Sequence, residues 1–416
     1  MSSESELMTI GELVRTSRGS IRTGPFGTTL RASEYSIEGL PVVSVGEVGY
    51  GSFRLDEHTR RVGPEVRRRL PEYELHVGDI VFGRKGAVDR SATIREEQDG
   101  WFLGSDGIRV RLGAGVDPLF VGYALQAEPT RRWILHNATG TTMASLNQRL
   151  LESLPLRVPP NAEQRAIVAA LDDVSSFVTL LEGLVAKKRA IKQGMMQELL
   201  TGKTRLPGFA NEWRDLKVAS ASHLKARIGW QGLTAAEYRS SGHYRLVGGT
   251  DFKEGRVNWS KTPFVDKWRF DQDQSIQLTP DDVLLTKDGT IGKVAFVDDL
   301  PGPATLNSGV FVIRPRQAAY HPRFLYQLLR SRVFDEFVAA LSAGSTINHL
   351  YQRDLVTLNL QMPSDLSEQE AIARVLQDTD DEILILERRL TSARAIKQGM
   401  MQELLTGRTR LPMQED

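Results

Sequence analysis

Two long segments of the chain carry apolar residues at intervals that alternate between four and three positions. In the first segment these residues are Ile167, Leu171, Val174, Val178, Leu181 and Val185. In the second they are Ile372, Leu376, Ile383, Leu386 and Leu390, with Thr379 at the remaining position. The mean spacing of about 3.5 residues is the period of a coiled-coil seam. The pattern predicts two long helices, the first from 161 to 202, or about 63 Å at about 1.5 Å per residue.

Start and stop signals flank both predicted helices. Asn161 can cap the first helix, and Ser367 with Glu370 forms a candidate capping box for the second. Gly202 and Gly407 stand where a left-handed residue ends a helix, and a proline follows each of them. The pattern therefore predicts where each helix begins and ends.

The two helical segments are near-copies of each other. Residues 189–207 and 394–412 are identical at eighteen of nineteen positions, and the one difference, Lys203 against Arg408, keeps the charge. An offset of 205 residues in a chain of 416 indicates an internal duplication. One long helix in each of two independent domains is one interpretation. We favour helices packed on each other, because each seam is the natural partner of the other.

The regions outside the helices have the composition of mixed α/β domains. Short β-type runs occur at 40–45, 79–82 and 108–111, and a helix interrupted by Pro129 is predicted over 118–136. The duplication is fainter here, since turns and core positions match while much of the rest differs. We therefore divide the chain into two globular domains, 1–158 and 208–362, and two spacer helices, 159–207 and 363–416.

Composition narrows the possible functions. The chain has no cysteine and seven scattered histidines, which excludes thiol catalysis and disulfides and argues against structural zinc or another metal site. Its polar, acidic beginning does not resemble a signal peptide, and no apolar run approaches the length of a membrane span. These features predict a cytoplasmic protein. A net charge of +1 requires any nucleic-acid surface to be local.

Candidate catalytic motifs are incomplete. Gly202-Lys203-Thr204 lies at a helix end, whereas a phosphate-binding loop precedes a helix. Asp251-Phe252-Lys253 lacks the upstream acidic partner of a nuclease site, and Val158-Pro159-Pro160-Asn161 is not the Asn/Asp-Pro-Pro-aromatic motif of an adenine methyltransferase. No residues are left to carry catalysis or to bind a cofactor, so the sequence favours a binding protein.

Two turn segments at equivalent places in the duplication are candidate DNA-binding elements. Residues 83–86 contain Arg84 and Lys85, and residues 286–289 contain Lys287. Basic hairpin tips can contact phosphates or guanine edges, although a solvated turn is the alternative. Repeat alignment adds further DNA-binding candidates: Arg22, Arg90, Thr141, Thr142, Lys225, Lys293, Ser345, Thr346, Asn348 and His349. For the short polar residues among them, helix capping is the competing role.

The identical helix ends are candidate docking surfaces for a protein partner. Methionine side chains adapt to irregular surfaces, and identity extends to positions expected to face solvent. Recent recombination between the repeats would also leave identical segments. The partner-binding candidates are Lys192, Gln193, Met195, Met196, Lys397, Gln398, Met400 and Met401.

Together these features resemble the specificity (S) subunit of bacterial type I restriction-modification systems, over essentially the whole chain. The resemblance rests on the duplicated helix end, on Gly24-Pro25-Phe26-Gly27 with Ser33-Glu34-Tyr35, and on 244–252 and Gly344-Ser345-Thr346. It implies an α+β fold in which two target-recognition domains are joined and spaced by two long antiparallel coiled-coil helices with pseudo-twofold symmetry. Helix length would then set the gap between half-sites.

The same resemblance implies a function. Each target-recognition domain would read half of a bipartite, asymmetric site on double-stranded DNA, with base-reading residues that vary with the target. The subunit would have no catalysis of its own. It would bind two methyltransferase subunits, which carry S-adenosylmethionine, and through them the restriction subunits, which use ATP and magnesium. A stand-alone DNA-modifying enzyme and a coiled-coil adaptor without DNA specificity are the alternatives.

Overall fold

The computed structural model describes residues 5–139, 144–228, 232–342 and 349–411. The chain divides into two compact units. Unit 1 comprises Met1–Glu182 with Arg388–Asp416, and unit 2 comprises Gly183–Glu387. Each unit therefore contains one globular head, the first half of one long helix and the second half of the other. These units cut across the boundaries expected from sequence, because both long helices are shared.

Within the described residues, the head of unit 1 contains two four-stranded sheets and one two-stranded sheet. The strands are β1 Glu6–Thr9, β2 Ser20–Thr23, β3 Tyr35–Ser36, β4 Leu40–Val43, β5 Arg61–Val62, β6 Ile80–Gly83, β7 Ser91–Thr93, β8 Phe102–Leu103, β9 Gly107–Arg111 and β10 Pro155–Val158. The sheet orders are β2-β9-β6-β7, β3-β5-β4-β8 and β1-β10. The helices are α1 Ile10–Ser17, α2 Pro64–Arg69, α3 Pro118–Gln126, α4 Glu128–Asn137, α5 Gln148–Glu152 and the long α6 Asn161–Leu199.

In the part of unit 2 that the structure describes, the head contains sheets of six, three and two strands. The strands are β11 Trp213–Lys217, β12 Ser222–Ala226, β13 Tyr244–Val247, β14 Phe252–Lys253, β15 Arg256–Val257, β16 Phe264–Val265, β17 Val283–Thr286, β18 Val294–Phe296, β19 Ala304–Leu306, β20 Val310–Pro315 and β21 Asn359–Pro363. The sheet orders are β12-β20-β17-β18-β15-β14, β16-β13-β19 and β11-β21. The helices are α7 Val218–Ala221, α8 Lys267–Asp271, α9 Pro322–Leu329, α10 Arg332–Ser342, α11 Gln352–Leu355 and the long α12 Leu366–Thr406.

These elements confirm much of the local prediction. The three β-type runs form β4, β6 and β9, and the proline-interrupted helix is α3 followed by α4. Both long helices are present, and Gly202 and Gly407 have φ values of 72° and 71°. The left-handed conformation there is accessible because glycine has no Cβ. Within the described ranges, no helix is long and apolar enough to cross a membrane.

The two predicted helix caps were wrong. α12 begins at Leu366, and Asp365 accepts hydrogen bonds from the backbone N–H and the hydroxyl of Ser367 at 2.8 and 2.6 Å. α6 begins at Asn161 itself, so Asn161 is a helical residue. For α12, the carboxylate of Asp365 is a stronger acceptor than the hydroxyl of Ser367. The cap predicted at Ser367 was therefore two residues too late.

In each unit the two helix halves run antiparallel and pack on the head. In unit 1, Ile167 and Leu171 of α6 share one core with Leu404 and Leu405 of α12, while Glu182 pairs with Arg394 at 2.7 Å. In unit 2 the equivalent core contains Ile372 and Leu376 of α12 with Leu199 of α6. Of the seam candidates, Leu181, Ile383 and Leu390 are also buried, whereas Val174, Val178 and Leu386 are half-buried.

A buried glutamine fastens each long helix to its head. Gln164 accepts from the backbone N–H of Asp117 at 2.9 Å and donates to the carbonyl of Pro159 at 2.8 Å. Its repeat equivalent, Gln369, accepts from His321 N–H at 2.8 Å and donates to Pro363 at 2.7 Å. Buried amides need such partners. The duplicated Glu-Gln pairs of the sequence thus serve the packing of helix on head.

Candidate nucleic-acid interface

The basic turn of unit 1 lies at one edge of the central sheet. β6 pairs antiparallel with β7, so residues 84–90 connect a β-hairpin, as the sequence predicted. Thr23 at the end of β2 pairs with Ile108, and Gly83 at the end of β6 pairs with Gly107. The loops after β2 and β6 and before β9 therefore meet at this edge, which we call edge 1. Loops gathered at one edge of a rigid sheet are suited to recognition.

Backbone hydrogen bonds fix the base of the hairpin connection at edge 1. The Arg84 N–H donates to the Asp106 carbonyl at 2.9 Å, and the Leu146 N–H donates to the Arg84 carbonyl at 2.8 Å. Lys85 also forms an isolated antiparallel bridge with Ser145. The backbone of the connection is thus held by the loop before β9 and by the segment before α5.

Two cations and an aromatic ring are available at edge 1. The Lys85 side chain is 53% exposed and lies 3.6 Å from the Asp106 carboxylate. The Arg84 guanidinium lies 4.5 Å from the ring centroid of Phe26, which is 51% exposed. An arginine on an aromatic face can still donate from the N–H groups in the plane of its guanidinium group. Edge 1 can contact phosphate oxygens or base edges.

The other basic candidates of unit 1 are tied to neighbouring aromatic rings. Arg90 lies 5.6 Å from the ring centroid of Tyr50, and the Tyr50 hydroxyl donates to Asp89 at 3.1 Å. Arg131 donates to the same carboxylate at 2.7 Å. Arg22 is half-buried, with its guanidinium 5.6 Å from the ring centroid of Tyr73. These contacts order the arginines but leave them less accessible than Lys85.

Unit 2 has the equivalent edge, which we call edge 2. β17 pairs antiparallel with β18, so residues 287–293 connect a hairpin, again as predicted. Ala226 near the end of β12 and Thr286 at the end of β17 pair with Phe311 and Val310 of β20. The Lys287 N–H donates to the Gly309 carbonyl at 2.9 Å, and the Leu350 N–H donates to the Lys287 carbonyl at 2.8 Å. The backbone frame of edge 1 is repeated.

The side chains of edge 2 differ from those of edge 1. Lys287 is only 12% exposed, and its Nζ lies 2.9 Å from the Asp288 carboxylate. His349 Nδ1 contacts the other oxygen of Asp288, and the two residues form an isolated antiparallel bridge. Lys225 and Lys293 are exposed. A cation that is buried and paired has less to offer a phosphate than one exposed to solvent.

Five DNA-binding candidates lie outside the described residues: Thr141, Thr142, Ser345, Thr346 and Asn348. Sequence reasoning missed Asp106 and Tyr50, which position the cations of unit 1, and it did not anticipate that Asp288 shields Lys287. Asp106, Tyr50 and Asp288 were missed because their roles follow from contacts in space with the cations. The pattern of residues along the chain does not show such contacts.

The identical helix ends occupy different surroundings in the two units. Met401 is buried in the core of unit 1 and Met400 packs against it, whereas Met195 and Met196 are partly buried against the core of unit 2. Lys192 donates to Asp380 at 2.6 Å. Gln193 and Gln398 are exposed. The methionines are therefore engaged within the chain, and the glutamines are the candidates on the surface.

Lys397, the repeat equivalent of Lys192, is half-buried near the Arg95–Asp172 ion pair and the Tyr123 ring. Burial lowers the pKa of Lys397, and the nearby Asp172 offsets this only in part. The folded state thus binds this proton more weakly than the unfolded state does, which destabilises the fold below the lowered pKa. The penalty disappears as the pH rises through the ordinary lysine pKa.

Replacing Lys397 with methionine should therefore stabilise unit 1 at neutral pH. We expect a gain of about 2–4 °C in Tm, the size that about 1 kcal/mol produces in a unit of this length. The gain should shrink when the unfolding of both proteins is followed at increasing pH up to about 10.5. The exposed Lys187 provides the control, since Lys187→Met should change Tm little. A lower Tm for Lys397→Met would contradict this account.

Comparison with known proteins identifies the family. The model of the type I restriction modification DNA specificity domain matches residues 64–188 and 233–393, more than half of the chain. The type I restriction enzyme MjaVIII specificity subunit of Methanocaldococcus jannaschii is 22% identical over 351 residues, covering 81% of this chain and 77% of that protein. The putative MjaX specificity subunit of the same organism is 21% identical over 356 residues, covering 82% and 81%.

Solved structures share the fold. The S subunit of the type I restriction-modification system of M. genitalium has a TM-score of 0.65 at 15% identity, covering 96% of both chains. A chain from a structural study of complex assembly and conformational transition of the type I R-M system has a TM-score of 0.53 at 16% identity, covering 97% of this chain and 98% of that one. This confirms the α+β fold of two repeated heads and long helices. The chain belongs to the family of type I restriction-modification DNA specificity subunits.

Proposed function

We propose that the two heads read the two halves of a bipartite, asymmetric site on duplex DNA, edge 1 one half and edge 2 the other. The observation that carries this proposal is the repeated edge: the same backbone hydrogen bonds present a hairpin connection in both units, but the side chains on it differ. The repeated backbone frame supports docking of both heads on DNA in the same way. The different side chains support recognition of a different DNA sequence by each head.

The subunit acts without catalysis of its own under this proposal. It recruits methyltransferase subunits, two per specificity subunit, and through them restriction subunits. S-adenosylmethionine, ATP and magnesium would be bound by those partners. The exposed Gln193 and Gln398 of the identical helix ends are candidates for contact with the methyltransferase. The family match and the duplicated helices support this assignment of partners.

Binding of the assembled complex to split sites tests the proposal. The chain is co-expressed with its methyltransferase partner, and a random duplex library is selected at moderate salt. We expect a two-part motif, and scrambling either part should reduce affinity by at least about 10³-fold. Equal affinity for all duplexes would support a coiled-coil adaptor instead. Methyl transfer or cleavage by the purified chain alone would support a self-sufficient enzyme.

Removing the exposed cation at edge 1 should weaken binding in a salt-dependent manner. If Lys85 contacts a phosphate, Lys85→Ala reduces the slope of log affinity against log salt by about one, and it does so for all sequences alike. Binding of the complex measured between about 50 and 200 mM salt provides the slope. The exposed Lys217 on β11 is the matched control. An unchanged slope for Lys85→Ala would exclude a phosphate contact by this residue.

A further inference from the structure

Lys85 and Asp288 occupy the same place in the two heads. Lys85 follows Arg84, whose N–H donates to the carbonyl of Asp106 just before β9. Asp288 follows Lys287, whose N–H donates to the carbonyl of Gly309 just before β20. Each also forms the isolated bridge to the segment that precedes a short helix, with Ser145 or His349 as partner. The charge at this position on the hairpin connection is therefore reversed between the heads.

The neighbouring loop shows the complementary change. Asp106, which lies 3.6 Å from Lys85 in unit 1, is replaced at the equivalent backbone position by Gly309 in unit 2, whose carbonyl accepts from Lys287. Gly309 has no side chain to cover Asp288. The Asp288 side chain is 39% exposed at the edge, although Lys287 and His349 each contact one of its oxygens.

These two contacts hold the carboxylate but do not saturate it. An ionised carboxylate offers about four acceptor positions, and Lys287 and His349 use two of them. The Lys287 ammonium group and the His349 ring nitrogen also stabilise the negative charge of Asp288 beside DNA. The remaining acceptor positions lie on an exposed group that is fixed by its neighbours, as a discriminating contact requires.

A carboxylate facing duplex DNA is repelled by phosphates, so it is favourable only where a base presents a hydrogen-bond donor. In the major groove those donors are the exocyclic amino groups, N4 of cytosine and N6 of adenine, and Asp or Glu accepts from cytosine N4. We infer that Asp288 determines the sequence preference of the second head by accepting a hydrogen bond from an exocyclic amino group, of cytosine in the first instance. This inference rests on the proposed function and names one determinant of it.

Three residues at edge 2 have different roles. Asp288 touches the base and is the specificity determinant. Lys287 and His349 are positioning residues, because they act through the carboxylate. At edge 1, where the equivalent position is Lys85, the same place suits a phosphate or a guanine edge, both of which present acceptors. The two heads would thus differ in the polarity of the base that they prefer.

The test uses the complex of the full chain with its methyltransferase partner. Selection from a random duplex library first identifies the half-site, and within it the base pair, at which the Asp288→Ala variant loses its sequence preference. At the base pair concerned, cytosine is then replaced by 2-pyrimidinone, or adenine by purine, which removes only the amino group. We expect the wild type to lose about tenfold in affinity on this replacement and Asp288→Ala to lose less than about twofold. Asp215→Ala, which removes an exposed carboxylate from β11 outside edge 2, should leave this base pair unaffected.

Each outcome decides the inference. The inference is supported if Asp288→Ala relaxes the preference at one base pair and binds the duplexes with and without the amino group equally well. A preference that persists in Asp288→Ala, or a uniform loss of affinity for all sequences, overturns it and leaves Asp288 with a purely structural role. These results are distinct from a failure of the proposed function, in which the wild-type complex itself shows no sequence preference.

Discussion

Replacing Arg314 with alanine is expected to destabilise unit 2 by about 3 kcal/mol, because it leaves a buried carboxylate without its counter-ion. Arg314 binds Asp282 through two hydrogen bonds, both of 2.6 Å, and it also donates to the carbonyls of Ser275 and Gln277 at 3.1 and 2.6 Å. Asp282 is only 1% exposed. Urea unfolding of the variant measures the loss.

A second substitution provides the control for Arg314. Asp282→Asn in the Arg314→Ala background removes the unpaired charge and keeps an oxygen that can accept from the Thr279 N–H, which lies 2.8 Å from the carboxylate. Part of the stability should return. The repeat equivalent in unit 1, Arg111 with Asp79, has the same two-bond geometry at 2.6 Å, but Arg111 is more exposed, so Arg111→Ala should have a smaller effect. Equal stability of wild type and Arg314→Ala would refute the argument.

Truncating Leu171 or Leu376 should also destabilise the protein by about 3 kcal/mol each, since Leu→Ala in a packed core removes apolar contacts and leaves a cavity. These residues are repeat equivalents and both are 0% exposed. Leu171 joins α6 to the core of unit 1, and Leu376 joins α12 to the core of unit 2. Thermal unfolding should show a decrease of about 6–12 °C for the affected unit.

The same helix supplies the control for Leu171. Leu180 is 58% exposed, so Leu180→Ala should change stability by less than about 0.5 kcal/mol. If Leu171→Ala and Leu180→Ala had equal effects, the long helix would not be fastened to its head by the apolar face described here.

Periodicity and duplication made the scaffold predictable. The spacing of Ile167 and Leu171, and of their equivalents, was sufficient to predict α6 and α12, because an amphipathic helix follows from local pattern alone. The hairpin at 83–86 was also predictable, because glycines flank it on both sides and a buried strand precedes it. The helix caps were less predictable from sequence, because Asp365 and Ser367 are both good capping residues and only the structure shows which of them is used.

The chemistry of the edges and helix ends depends on contacts distant in sequence. Lys192 and Lys397 lie in identical local sequences, yet one donates to Asp380 and the other is near Tyr123 and Asp172. Asp380 corresponds in the repeat to Ser175, so the identical segments meet different partners. In the same way, the acidic Asp288 beside Lys287 makes the second basic turn chemically unlike the first. No pattern within a segment contains this information.

A map of modified bases in the host genome, with and without this gene, shows whether this chain selects the DNA sequence that is methylated. We predict that adenine methylation at one split, asymmetric motif is present with the gene and absent without it, and the two parts of the motif would be the half-sites of the two heads. An identical map in both strains, in the presence of an expressed and active methyltransferase partner, would contradict the claim that this chain selects the DNA sequence.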